Sequence, residues 1–321
     1  MKRHLRVPAV AAAIAVLQAC QPVPPAPSEP APEPAPGAVR TVAAPAPAGP
    51  QGPSARSRDL ESFYARIEAN LRAQGLLRTD GGLSDAPYSV DDLVRNFEQI
   101  ALFEEYANVG GRIVARPTAS RLHRWERPIL VEIAFGAGVP EAKRNRDRVS
   151  VAGFASRLAR ITGHPVRVVP EDGNFHVFIV DEDDRRRLGP RLRALIPGIS
   201  EASLATIVDM PRSTYCLVVA WDPDDDGGYE TAVAVIRAEH PDLLRLSCIH
   251  EEMAQGMGLS NDSPDARPSI FNDDEEFALL TPHDEMLLRI LYDPRLRPGM
   301  LSEEAMPIAR AIAEDLAGGP M

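Results

Sequence analysis

The stretch Cys248-Ile249-His250-Glu251-Glu252-Met253-Ala254-Gln255-Gly256-Met257-Gly258-Leu259-Ser260-Asn261-Asp262 decides how the chain is read. On a helix, residues four apart lie one above the other on a single face, so Glu251 and Gln255 present two oxygen-bearing side chains together. Glu252 stands beside them, one residue further round the helix. Gly258 supplies the positive-φ freedom that lets a helix stop and the chain reverse. The reversed chain then returns Asn261, followed by Asp262, toward the same face. A second frame begins at His250-Glu251, but its i+4 residue is Ala254, which binds nothing. The first frame is preferred.

In that frame the stretch resembles the active-site helix of zincin metallopeptidases of the metzincin branch, which carry H-E-x-x-H and a third ligand after a Gly turn. The three imidazole places are taken here by Glu251, Gln255 and Asn261, and the general-base place by Glu252. Metzincins follow the third ligand with a tight Met-containing turn. Ser269-Ile270-Phe271-Asn272 occupies that place, with Phe271 for the Met. Leu280-Thr281-Pro282-His283-Asp284, then Leu287, Leu288, Leu291 and Tyr292 at helical spacing, is similar to the closing helix of such domains. The resemblance covers about residues 240–292. It implies an α/β (α+β) fold with a mixed twisted sheet, an active-site-type helix and a C-terminal closing helix, preceded by N-terminal helices.

A second resemblance covers more of the chain. Phe97-Glu98-Gln99-Ile100-Ala101-Leu102-Phe103-Glu104-Glu105-Tyr106, Arg124-Trp125, the C-I-H-E-E-x-x-Q-x-x-G-L-x-N-D stretch, Leu291-Tyr292-Asp293-Pro294 and Pro298-Gly299-Met300 resemble the proteobacterial lipoprotein family of domain of unknown function 2927. That family has no established activity, so the resemblance implies location and fold more than chemistry.

The N-terminus carries its own signals. Lys2, Arg3 and Arg6 precede an apolar run over residues 7–17 that is too short for a permanent membrane span, and this reads as a signal-peptide core. Leu17-Gln18-Ala19-Cys20 looks like a lipobox, which predicts a signal peptide over residues 1–19 and a lipidated Cys20 as membrane anchor. The alternative is an ordinary secretory signal cleaved near Ala19. Gln21 stands where an Asp would retain the protein in the inner membrane, so the expected location is the outer membrane, facing the periplasm. Residues 20–57 are dominated by Pro and Ala and bury too little to fold, so they read as a disordered tether. Extended at ~3.1 Å per residue, it reaches on the order of 100 Å.

Beyond it, a helical segment is expected over residues 58–110, the zincin-like domain over residues 111–300, and a helix or tail over residues 301–321. Apolar spacing predicts helices over residues 58–75, 89–107, 148–161 and 184–195. Strands are expected over residues 129–135, 166–169, 176–180, 215–221 and 231–237. The last two flank Asp222-Pro223-Asp224-Asp225-Asp226-Gly227-Gly228 and predict a hairpin whose edge strand, in such enzymes, pairs with an extended substrate. Asp222, Asp224, Asp226 and Gly227 begin like a calcium loop, but Val233 stands where its closing Glu belongs. A charged hairpin tip is the simpler reading. With Cys20 lipidated, Cys216 and Cys248 remain as an even pair, and in an oxidising compartment they are expected to form a disulfide that clamps the Glu251 helix to the sheet.

A net charge of −11 argues against nucleic-acid partners. Three functional readings stay open, one of them a purely structural envelope protein in which Gln255 and Asn261 simply hydrogen-bond the following turn. In a second, no cofactor is bound and the domain holds a periplasmic protein or peptide partner. In another, Glu251 and Gln255 hold a divalent cation with a third oxygen from Asn261 or Asp262, and Glu252 serves as base in a hydrolase. Oxygen donors favour Ca²⁺, Mg²⁺ or Mn²⁺ over Zn²⁺. His250, Asp262, His283 and Asp284 are placed in the cleft or just behind it, with a structural role favoured for His250.

Overall fold

The computed structural model of the chain describes residues 52–82, 84–109 and 112–318. The expected signal peptide, Cys20 and the tether up to residue 51 lie outside the described residues. The first helix, α1 (Ala55–Ala73), is capped by Ser54, whose Oγ accepts the Ser57 N–H. It begins three residues earlier than its apolar spacing indicated. α2 (Val90–Ala101) starts at Ser89 in a capping box with Asp92, as its sequence announced.

The expected continuation of α2 does not form. Residues 103–107, which share its helical period, belong to β1 (Phe103–Val109), paired antiparallel with β2 (Arg112–Ala119) in a two-stranded sheet. Pairing with a partner strand overrides the local period there. The expected boundary at residue 110 lies outside the described residues.

The main sheet is built from β3 (Ile129–Phe135), β4 (Val166–Val169), β5 (Phe175–Val180), β6 (Cys216–Trp221) and β7 (Thr231–Arg237), in the order β4-β3-β5-β7-β6. Four strands run parallel and β6 runs antiparallel to β7 from Cys216↔Ile236 to Trp221↔Thr231. β5 is buried at every residue and β7 at all but its first. Such unbroken apolar runs mark strands covered on both faces.

One face carries α3 (Glu141–Thr162), α7 (Asp242–Gln255), α8 (Pro282–Leu291) and α9 (Ser302–Gly318), and Ala232, Ala234 and Ile236 of β7 belong to that core. The alternate residues Val233 and Val235 face a second core, filled by Leu192, Leu204 and Ile207. Its helices are α4 (Glu182–Arg185), α5 (Gly189–Leu195) and α6 (Glu201–Val208). The single helix expected over residues 184–195 is split, with Leu188 and Gly189-Pro190 at the break. Among the described residues no helix is long and apolar enough to cross a membrane.

Candidate functional site

α7 lies against β6 and β7, and a disulfide joins Cys248 in its middle to Cys216 at the start of β6, with Cα atoms 5.9 Å apart. The expected clamp is present. Past its end the chain turns under firm control: Trp125 Nε1 donates to Gly256 O at 2.7 Å and the Tyr292 hydroxyl donates to Met257 O at 2.9 Å. Gly258 has φ +120°, and a Cβ there would lie 2.1 Å from His123 O. Only glycine fits, so the residue chosen as the anchor of the frame is indeed where the chain reverses.

Of the two residues that follow the turn, Asn261 and Asp262, the second is the one brought to Gln255. Gln255 Nε2 donates to Asp262 Oδ1 at 3.1 Å, and both line a cavity of ≈ 320 Å³ together with Glu251 and Glu252. Glu251 and Glu252 offer oxygens within 4.8 Å of each other and of Cys216 Sγ. Asn261 points elsewhere. Its N–H donates to Ile100 O at 3.1 Å and its Nδ2 to Gln99 O at 2.8 Å, which satisfies carbonyls at the end of α2. Asp262, not Asn261, therefore completes the group.

His250, His283 and Asp284 do not line this cavity; His250 has the structural role favoured for it, and Asp284 sits in the capped start of α8 that its sequence indicated. His250 is buried and stacked on Phe154 with ring centroids 4.0 Å apart, and its Nδ1 accepts the Leu280 N–H at 3.2 Å. Burial, helped by the Arg157 charge, pushes its pKa down to about 3 and keeps it neutral. His283 and Asp284 are wholly buried. Asp284 accepts from Ser269 Oγ at 2.6 Å, from Ile270 N–H at 3.0 Å and from the Thr281 N–H at 2.9 Å. His283 Nε2 meets Asn96 Nδ2 at 3.0 Å. Both residues fix the Ser269-Ile270-Phe271 turn and α2 against the start of α8. At the hairpin tip, Asp222 accepts from the backbone N–H groups of Asp226 and Gly227, so its carboxylate closes the turn.

Two cavity residues escaped the sequence reading. Asp273 and Glu275 return to the cavity from the loop before α8. Glu275 holds a left-handed backbone at φ +58°, and its carbonyl accepts the Leu77 N–H at 2.8 Å. Burial, and then the charges of Asp273 and Asp274, push its carboxyl up to about 7. The run Asn272-Asp273-Asp274-Glu275-Glu276 was the signal available for them.

Leu217 and Gln255 belong also to a second cavity of ≈ 360 Å³ that follows β6 through Val218, Val219, Ala220 and Trp221. Ser203 and Thr206 of α6 line it too, and Glu104, Asp222 and Asp225 add acidic groups. The two cavities thus form one groove beside β6. No described strand pairs with the outer edge of β6.

A family model described as Protein of unknown function (DUF2927) matches residues 90–311. The chain belongs to the DUF2927 family. No curated protein and no solved structure matches it. The DUF2927 span runs from the start of α2 into α9 and contains the whole groove, whereas α1 precedes it.

Proposed function

We propose that this DUF2927 protein is an envelope lipoprotein, anchored to the outer membrane through Cys20, whose zincin-like domain holds a periplasmic polypeptide in extended form along β6. The outer edge of β6, which no described strand pairs with and which apolar side chains floor, carries the reading, because strand addition takes its affinity from backbone pairing at a sheet edge. The zincin-like part is supported by the order of hairpin, α7, Gly258 reversal, Ser269 turn and closing α8. The residues present do not fit a zinc ion of the kind those enzymes hold. None of the three ligand places carries an imidazole, Asn261 is engaged with Gln99, and the Cys216 sulfur is bonded to Cys248.

The test uses the full-length protein in mild detergent and a fluorescein-labelled, capped Thr-Val-Thr-Val-Thr-Val peptide. Binding is expected by fluorescence anisotropy, and N-methylation of alternate peptide nitrogens is expected to abolish it. Equal binding of the N-methylated peptide, or none by either, refutes strand addition.

A second reading is favoured by the 4.8 Å grouping of Glu251 and Glu252 oxygens: a divalent cation held by oxygens, with Glu252 as base on a water. It requires stoichiometric metal in the purified protein and peptide cleavage that disappears in Glu252→Gln. Metal analysis and a broad peptide digest decide between the two.

A further inference from the structure

We infer that the crevice at the carboxyl ends of β3, β5 and β7 is a binding site for a polyhydroxylated ligand of the saccharide class, held through Glu239 and closed by the first turn of α1. In open sheets of parallel strands, ligands bind outside the carboxyl ends of the strands, at the point where the strand order reverses. That point lies here between β3 and β5. The connection leaving β3 leads to β4 on one side, and the connection leaving β5 leads to β6 and β7 on the other. The residues that follow these strands line one cavity: Gly138 after β3, Asp181 after β5 and Glu239 after β7. It shares no lining residue with the groove beside β6.

Glu239 points to the chemistry of the ligand. It is 3 % exposed, and its Oε1 accepts the Ser57 hydroxyl at 2.8 Å and the Glu182 N–H at 2.7 Å. Its Oε2 is buried with no hydrogen-bond partner among the described residues, a costly state for a carboxylate oxygen. A ligand with two neighbouring hydroxyls satisfies both oxygens: one replaces the Ser57 hydroxyl at Oε1, and the next gives Oε2 the donor it lacks. Lys143 lines the same cavity, with its Nζ donating to Ala238 O at 2.6 Å, and its charge disfavours a cationic occupant. The grouping of three ligand atoms within 4.8 Å that would suit a metal lies elsewhere among the described residues, at Cys216, Glu251 and Glu252.

The start of α1 is a movable cover. Pro53, Ser57 and Glu61 close the cavity down to ≈ 10 Å³, room for about one water, so a saccharide enters only when α1 lifts. Ser57 and Tyr64 are the buried residues of α1. The Tyr64 hydroxyl donates to Arg212 O at 2.9 Å, and its ring centroid lies 4.3 Å from that of His240. An element with so few buried side chains opens at low free-energy cost. α1 also precedes the DUF2927 span, whereas Gly138, Asp181 and Glu239 lie inside it.

The experiment titrates the full-length protein in mild detergent with glucose, N-acetylglucosamine, ribose and myo-inositol, read by saturation-transfer NMR. Tyr64→Ala removes the main anchor of α1 without touching the crevice, and amide hydrogen exchange over residues 55–73 should rise in it. At least one of the four ligands should bind this variant tenfold or more tightly than the wild type, because the closed population no longer lowers the affinity. Ser57→Ala removes the competing hydroxyl and should tighten binding at least threefold. Adding Glu239→Gln to Tyr64→Ala should weaken binding at least tenfold with the circular dichroism spectrum kept. Absence of binding to both Tyr64→Ala and Ser57→Ala overturns the site, as does binding that Glu239→Gln leaves unchanged. Unchanged exchange of α1 in Tyr64→Ala overturns the cover. Micromolar Ca²⁺ binding that is lost in Glu239→Gln, without saccharide binding, overturns the assignment in favour of an ion.

Discussion

Removing the Cys216–Cys248 bond tests the frame that holds the groove. The bond closes a loop of sequence separation 32. In the chain-entropy model the loss of unfolded-state constraint is worth about 3.7 kcal/mol for a loop of that size. Unfolding a domain of this length carries an entropy of roughly 0.55 kcal/mol per kelvin at ~2.1 cal/mol/K per residue, so Tm should fall by about 7 °C. Cys216→Ala/Cys248→Ala is the perturbation, and scanning calorimetry at pH 7 is the assay. Each single variant should lose as much as the double, because either one opens the loop. A Tm shift below ~2 °C, or Ellman titration of untreated protein that finds thiols at Cys216 and Cys248, refutes the reasoning. Peptide affinity should fall in parallel, since β6 and α7 form the two walls of the groove.

Three further outcomes are expected. Glu182→Gln removes the charge that holds the wholly buried Arg185 and Arg237, and breaking such a network on one side costs about 3–5 kcal/mol by urea unfolding; a loss below ~1 kcal/mol contradicts the pairing. Gly258→Ala combines a positive φ with a Cβ 2.1 Å from His123 O, so it should destabilise by more than about 1 kcal/mol, and a neutral effect would mean that the turn is built differently. Stability should also decline on both sides of a mildly acidic window. Glu275, raised to about 7, contributes stability at low pH that is lost as pH rises through 7, whereas His240 and His250, both lowered to about 3, contribute stability above ~6.5 that is lost as pH falls. Tm measured from pH 4 to 8 should lose its high-pH decline in Glu275→Gln; an unchanged decline removes Glu275 as its source.

Much of the main sheet was legible because burial on both faces leaves near-continuous apolar runs, and the expected spans of β4 and β7 match the observed ones. The capped starts of α2 and α8 were legible for a local reason: Ser89 with Asp92, and Thr281 with Asp284, satisfy orphan N–H groups within four residues. β1 was not, since a strand that follows a helix directly and depends on a partner hairpin shows no period of its own. α6 was also missed, being only eight residues of mixed character. In the site, Glu251, Glu252 and Gln255 were found because the resemblance to a metzincin helix, anchored on Gly258, points to those places and helical spacing groups them. Asp273 and Glu275 arrive from a loop about twenty residues downstream, and nothing local to α7 announces that return. Asn261 and Asp262 are neighbours on a tight turn, where one residue of register decides which side chain faces the cavity and which faces α2.

That register sets a limit on redesign. Histidines introduced at positions 251, 255 and 261 would create the spacing of a metal-binding helix on paper. Yet the side chain at 261 already holds the Gln99 carbonyl, and its own N–H holds that of Ile100. An imidazole swung toward the cavity would abandon the first of these bonds and leave the end of α2 short of a donor. Residue 261 serves the junction between two helices, and building a three-ligand centre there would require rebuilding that junction.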